Sequence, residues 1–411
     1  MWGCVQRFLF SVALCCLFSA CSSFVHAQPS TDSLNAERVV ALARARAPQV
    51  RIAESRVLEA RGRLASSRAL STENPTIEGV AARSDRFERR TQWELSVPIG
   101  IGLGWAGRTG VARAELERDQ QLVADARRGA VGAALAAYYG VLHASRLVDL
   151  ARVRLSVAAD LRRSAFERHQ AGDAPRLETL LTEMEEVRAE SQLLAERELL
   201  ARERIRLAAT LGLPSGEQLL IAGDLEDRAL IERTLASAGP ERRADVAAAD
   251  REVRAAKAAR NLARGDLLPG LALRLNYGHE EGGPLVQRGL AVTVPLFQYG
   301  QESRSLARAR EGRAQADLER IENAATAELE GLERIVQLSA SAADSLSSRA
   351  MPRVAESEDM VRESYRAGKI DLPSLLLVRR DLLDTRREYL DRLLDAALAG
   401  IDLAVAKGHF Q

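Results

Sequence analysis

The stretch LERIENAATAELEGLERIVQLSASAADSLSSRAM, residues 318–351, carries a regular row of apolar and small residues. In it Leu318, Ile321, Ala325, Leu329, Leu332, Val336, Ser339, Ala343, Leu346 and Ala350 follow one another at steps of three or four. That spacing puts them on one face of a helix, as a heptad-like seam. Alanines along the seam let neighbouring helices approach closely, while Arg, Glu and Asp on the other faces keep them solvated. Outward from this stretch the pattern holds from Gln301, meets no proline before Pro352, and stops at Ala367-Gly368. The spacing predicts one helix over 301–366, which at 1.5 Å per residue is about 100 Å long. By itself such a rod reads as a fibrous coiled coil, and the remaining sequence decides what it belongs to.

The 411 residues suffice for two or three domains, but with 46% apolar and only 4% aromatic residues they favour long helices over large compact cores. Charged residues make up 28% and nearly cancel to +1, so there is no field to attract nucleic acid. Residues 1–27 differ from the rest and read as a signal peptide. Arg7 precedes an apolar run from Phe8 to Phe18 that is too short for a permanent anchor. Two processing sites follow. Val25-His26-Ala27 is a small-x-small site that leaves Gln28 first, and Phe18-Ser19-Ala20-Cys21 resembles a lipobox that leaves a lipidated Cys21. Either predicts export. All four cysteines, Cys4, Cys15, Cys16 and Cys21, lie in this leader, so the mature chain is expected to have neither a disulfide nor a thiolate metal site.

Taken in order, the chain predicts helices over 36–45 and 49–69, strands over 75–83 and 91–103, a long helix over 108–170, and a helix over 176–211. Ala171-Gly172-Asp173-Ala174-Pro175 separates the last two, with Gly as a stop and Asp and Pro as a start. A linker with one short helix covers 213–239. The series then begins again, with a helix over 243–264, strands over 269–277 and 289–297, the long helix over 301–366, and a helix over 372–405. Landmarks register the halves: Val50 with Val246, Pro75 with Pro269, Pro98 with Pro295 and Gly172 with Gly368, at offsets of 196, 194, 197 and 196. The chain is a tandem duplication, residues 28–212 and 240–407.

The strands constrain the assembly. Trp93, Leu95, Val97, Ile99, Ile101 and Leu103 alternate with polar or small residues, as do Leu271, Leu273, Leu275 and Tyr277, and Leu290, Val292, Val294 and Leu296. Half of the aromatic residues after position 27 lie in or beside strands: Phe87, Trp93, Trp105, Tyr277, Phe297 and Tyr299. Such strands are long enough for a tilted membrane crossing, yet four of them cannot close, and an open edge is prohibited in lipid. A barrel shared between chains satisfies both conditions, with eight strands from two chains or twelve from three, and only the larger leaves an aqueous lumen. The competing reading is a small soluble sheet on an exported coiled-coil scaffold.

No chemistry-bearing constellation emerges. Gly102-Leu103-Gly104-Trp105-Ala106-Gly107 fits G-x-G-x-x-G, but a helix of about sixty residues follows it and no parallel strand with an acidic ribose ligand does. A strand-to-helix passage accounts for it. His143, His169, His279 and His409 are far apart and match no ligand spacing. We therefore expect no catalytic residue, cofactor or metal site.

Over essentially the whole mature chain this pattern resembles the TolC family of bacterial outer-membrane channels. Tyr365-Arg366-Ala367-Gly368-Lys369-Ile370-Asp371-Leu372-Pro373 is similar to that family's periplasmic tip loop, and His169-Gln170-Ala171-Gly172-Asp173-Ala174-Pro175 to the same loop in the first half. Ser96-Val97-Pro98-Ile99 and Thr293-Val294-Pro295-Leu296-Phe297 resemble its second and fourth barrel strands. The spacing, the Asn74-Pro75 strand entry and the tip loops most resemble the CzcC and CusC branch, which serves heavy-metal efflux. The resemblance implies a mainly α fold whose long helical coiled coils carry four transmembrane strands per chain, joined in a homotrimer as a twelve-stranded barrel. It implies location in outer-membrane lipid with a large periplasmic portion, and an inner-membrane RND pump and a periplasmic adaptor protein as partners. Docking then falls to Ala171, Gly172, Asp173, Ala367, Gly368 and Lys369 at the tips. Many members carry gating aspartates just after the second tip turn, where this chain has Ser374 and Leu377. The carboxylates left as gate candidates are Glu178, Glu183 and Asp371. Drug efflux and type I secretion are the alternative cargo readings within the family.

Overall fold

The structure, a computed structural model, describes residues 33–69, 71, 73–84, 87–99, 103–214, 220–237, 239–240, 242–265, 269–280, 283–294, 297 and 300–411. Residues 1–27, including Cys21, lie outside them. Helices α1 (Ala36–Arg46) and α2 (Pro48–Ser67) come first, with the Asn35 side chain accepting from Arg38 N at 2.9 Å to cap α1. Strands β1 (Thr76–Ser84) and β2 (Phe87–Ile99) follow, then α3 (Leu103–Gln170) and α4 (Arg176–Leu211). The short α5 (Ala229–Ala236) leads to α6 (Ala244–Gly265), β3 (Gly270–Glu280) and β4 (Gly283–Thr293). The second long rod is α7 (Gln301–Ser345), a π-turn over Leu346–Ala350, and α8 (Met351–Arg366), and α9 (Leu372–Ala406) completes the chain.

At 68 residues α3 is about 100 Å long, and the α7–α8 rod matches it. All ten seam residues of α7 and the π-turn are buried or half-buried, while the flanking Ile335 and Leu338 are 50% and 65% exposed. The break in this rod has a local cause. Pro352 has no N–H for the carbonyl of Ser348 and its ring crowds that group, and the chain widens by one residue just upstream, where Met351 N bonds to Leu346 O.

The main core lies midway along the rods, where α1 and the ends of α4 and α9 meet the middle of α3. Val131, Leu135, Tyr138, Tyr139, Leu207, Leu211, Leu393 and Ile401 are among its buried residues. The described part of the stretch 213–239, read from composition as a linker, contributes to this core. Leu225 and Ile231 are buried, Ile221 bridges Leu34, and the hydroxyls of Tyr138 and Tyr139 each donate at 2.8 Å to the carbonyls of Ala222 and Asp227. Burial, reinforced by Asp227, pushes the Tyr138 phenol up to about 12, so it stays a donor.

The strands form one antiparallel sheet in the order β1-β2-β3-β4, with β1 and β4 as edges. Their limits shift from those the alternation suggests. β2 starts at Phe87 instead of 91, because its pairing with β1 continues from Arg90 opposite Ala82, across a register shift, to Phe87 opposite Ser84, through a charged stretch with no apolar alternation to signal it. Its described part reaches Ile99, residues 100–102 lie outside the described residues, and Leu103, expected in the strand, opens α3. β4 spans Gly283–Thr293 and so starts well before 289, because it forms a tight hairpin with β3 that sets Glu280 opposite Gly283, while residues 295 and 296 of the expected strand lie outside the described residues.

Candidate functional site

Two places on the molecule carry the chemistry of interest, the sheet and the opposite ends of the helical hairpins. Cross-strand register assembles two unlike sheet faces. On one, Trp93 faces Tyr277, Leu95 faces Leu275, Val97 faces Leu273 and Ile99 faces Leu271. Ile77 extends this face onto β1, and Val286, Leu290 and Val292 extend it onto β4, where Arg288 interrupts it. On the other face Glu78, Glu94, Asn276 and Gln287 line up across all four strands, and Arg274 Nε lies 3.4 Å from Glu94. The apolar face is uncovered in the chain, with Ile77, Trp93, Leu273 and Leu290 between 51% and 70% exposed. At 9 to 13 residues the strands suit a tilted crossing of a bilayer. No described helix is long and apolar enough to cross one.

At the far ends both hairpins turn by the same device. Gly172 (φ +85°) and Gly368 (φ +67°) take the left-handed conformation. Asp173 N then bonds to Arg168 O and Lys369 N to Ser364 O, both at 2.8 Å, which satisfies the last carbonyls of α3 and α8. A Cβ on either glycine would meet nothing within 4 Å, so backbone conformation alone, and not crowding, demands glycine there. Ala171, Gly172, Asp173, Ala367, Gly368 and Lys369 are all exposed.

The two tips differ in how they restart. Asp371 caps α9, its carboxylate accepting from Ser374 N at 3.1 Å, and these hydrogen bonds to the charged form hold its pKa below the usual carboxylate range. Pro175 stands at the corresponding place before α4 and has no side-chain cap. There His169 Nδ1 donates to Ala174 O at 2.9 Å and Arg168 Nη2 to Asp173 O at 3.4 Å. Arg168 Nη1 also reaches the Tyr365 hydroxyl at 3.3 Å and lies 3.6 Å from Glu178, so one guanidinium ties the two tips together.

Of the three gate candidates, Glu178 is half-buried beside Arg168, Glu183 is exposed on α4, and Asp371 is engaged as a cap. Among the described residues no three His, Cys, Asp or Glu side chains gather as a metal-binding group. His143, which has no partner near it in sequence, pairs across the core through Nε2 with Asp391 at 2.7 Å. The G-x-G-x-x-G stretch has a packing explanation: a Cβ on Gly107 would lie 3.0 Å from Leu262, so this glycine lets α6 approach α3. Sequence reasoning missed the Arg168–Tyr365 tie. The 196-residue offset, which places the two residues at neighbouring positions of equivalent turns, is the signal that could have found it.

Neither a family profile nor a curated protein matches the chain. Solved structures do. The outer membrane protein VceC of Vibrio cholerae is 16% identical, with a TM-score of 0.72 over 91% of this chain and 96% of its own. The MtrE outer membrane channel of Neisseria gonorrhoeae, in its open state, is 16% identical at 0.73 over 91% and 88%. CusC, whose structures concern folding and transmembrane channel formation, is 17% identical at 0.70 over 91% and 92%. The class is therefore defined by a small antiparallel sheet set on long paired helical hairpins. Nearly the whole chain adopts the fold of outer-membrane channels of the TolC type.

Proposed function

We propose that the chain is the outer-membrane channel subunit of a tripartite efflux system. The observation that carries this reading is the sheet. It has two unpaired edges, one apolar face left uncovered, and one polar face, which is what a quarter-turn or more of a shared transmembrane barrel requires and a soluble sheet does not. Three copies would pair β4 of one with β1 of the next into twelve strands around an aqueous lumen, with Glu78, Glu94, Asn276 and Gln287 turned inward. The helices supply matching contacts. On α4, Leu177, Leu180, Met184, Val187 and Leu194 recur at coiled-coil steps and are 46–64% exposed, a seam that a neighbouring copy would cover.

In this reading the rods are the wall of a periplasmic tunnel, the tips at Gly172 and Gly368 meet an adaptor, and an RND pump loads the tunnel. Glu178, Glu183 and Asp371 are the carboxylates available to narrow its inner end, and the chain contributes no catalysis. Heavy-metal cations are the cargo favoured by the likeness of the tip loops and strand entry to the CzcC and CusC branch. In this reading selectivity resides in the pump.

Fractionation tests the proposal. A heat-modifiable trimer in the detergent extract of outer membranes is expected, whereas release of the mature protein by osmotic shock would reject it. Deleting the gene should lower tolerance of heavy-metal salts, and loss of drug tolerance or of a secreted protein instead would reassign the cargo.

A further inference from the structure

Between the two hairpins, above the tips, α3, α4, α8 and α9 enclose a cavity of about 810 Å³. Its lining carries six guanidinium groups and four carboxylates. All four carboxylates are taken. Glu185 pairs with Arg154 at 2.8 Å, Glu358 with Arg386 at 2.7 Å, Asp384 with Arg380 at 3.8 Å, and Asp359 with Arg362. Among the described residues, Arg188 and Arg379 have no ion-pair partner. Arg188 is exposed, but Arg379 is half-buried and its Nη1 is out of contact with solvent and has no hydrogen-bond partner. Burial lowers the pKa of Arg379; Glu358 pulls against that and Arg362 adds to it.

A guanidinium nitrogen held out of water with no acceptor is costly. A negative group placed in the cavity would give that nitrogen its acceptor. The planar fork of arginine fits two oxygens of one carboxylate or phosphate at once, and the cavity is large enough to admit a small polyanion. We infer that this cavity is an oxyanion site, in which a carboxylate or phosphate group is held by Arg379 from within and by Arg188 at the mouth. The inference rests on the cavity and its charge balance, and stands whether or not the chain is a channel. The oxyanion can come from a free small anion or from acidic side chains of another polypeptide, and the chemistry is the same.

The test uses the purified full chain and its Arg188→Met/Arg379→Met variant, melted in sodium chloride and in sodium phosphate at equal ionic strength and pH, and again with triglutamate. Phosphate should raise the wild-type Tm by about 2 °C or more and leave the variant unmoved. A rise with triglutamate but not phosphate would support the site with a polypeptide as the source. Equal shifts in both proteins, or none in the wild type with either probe, would overturn the inference. Arg379→Met alone should melt above the wild type in chloride, because it removes an uncompensated charge; a lower Tm would show that the guanidinium already has what it needs and would also overturn it. If the double variant melts too low to compare, calorimetric titration of phosphate below both transitions reads the same property, with at least tenfold weaker binding expected in the variant.

Discussion

Gly172 and Gly368 are held in left-handed backbone with open space around them, so a side chain there strains the turn without striking a neighbour. Alanine at either position should cost about 1–2 kcal/mol in denaturant unfolding. Glutamate at both should abolish efflux while leaving trimers intact, and loss of the trimer would show that these turns serve folding instead of docking. Asp371 gives a residue-scale prediction in pH. Its folded pKa lies below its unfolded value near 4, so its charge contributes stability that is present above about pH 4 and lost as pH falls through the folded pKa. Asp371→Asn keeps an oxygen that can cap α9 but not the charge. The wild type should therefore melt above the variant at neutral pH, and the gap should close in acid; a gap independent of pH would show that the charge is irrelevant. Both glycines were legible in the sequence as stops. The unequal restarts, Asp371 capping and Pro175 not, were not, since a start signal names a position and not its hydrogen bonds.

At the scale of elements, period was a good guide wherever burial was one-sided. The ten seam residues of the second rod are its buried or half-buried row, and the alternating residues of β2 and β3 meet face for face in register. Period failed where hydrogen bonding outran burial, as at the charged start of β2 and the β3–β4 hairpin, and where contacts lie far apart in sequence, as for residues 221–236, which enter the core without any periodicity of their own. The π-turn before Pro352 belongs to the same class, because the proline is visible and the extra residue that accommodates it is not. Two substitutions separate the two kinds of helix contact. Ala343 is 1% exposed in the core, and Ala343→Glu should lower stability by several kcal/mol by burying an unpaired charge. Met184 and Leu194 on α4 are exposed in the single chain, and Met184→Ala/Leu194→Ala should leave helix content by circular dichroism unchanged while lowering the fraction of trimer on size exclusion.

At the scale of the chain, the same order of elements occurs twice. The two rods end 196 residues apart, at Gln170 and Arg366, and the helices that return from the tips end 195 apart, at Leu211 and Ala406. Each half thus delivers a hairpin of strands at one end and a hairpin of helices reaching away from it. Ties between the halves, such as His143 to Asp391 and Arg168 to Tyr365, complete the unit and could not be read from either half alone. One chain leaves the edges of β1 and β4 open, and in the proposed assembly the next copy closes them. All four native cysteines lie within the first 21 residues, in the segment expected to be removed apart from Cys21, so Cys21→Ala gives a clean background for introduced cysteines. Val80→Cys on β1 and Leu285→Cys on β4, joined in outer membranes by a flexible bis-maleimide, read the closure directly. A covalent product of three chains and none larger is predicted, with no cross-link when either cysteine is present alone. A product that stops at two chains, or none at all, would contradict the shared twelve-stranded barrel.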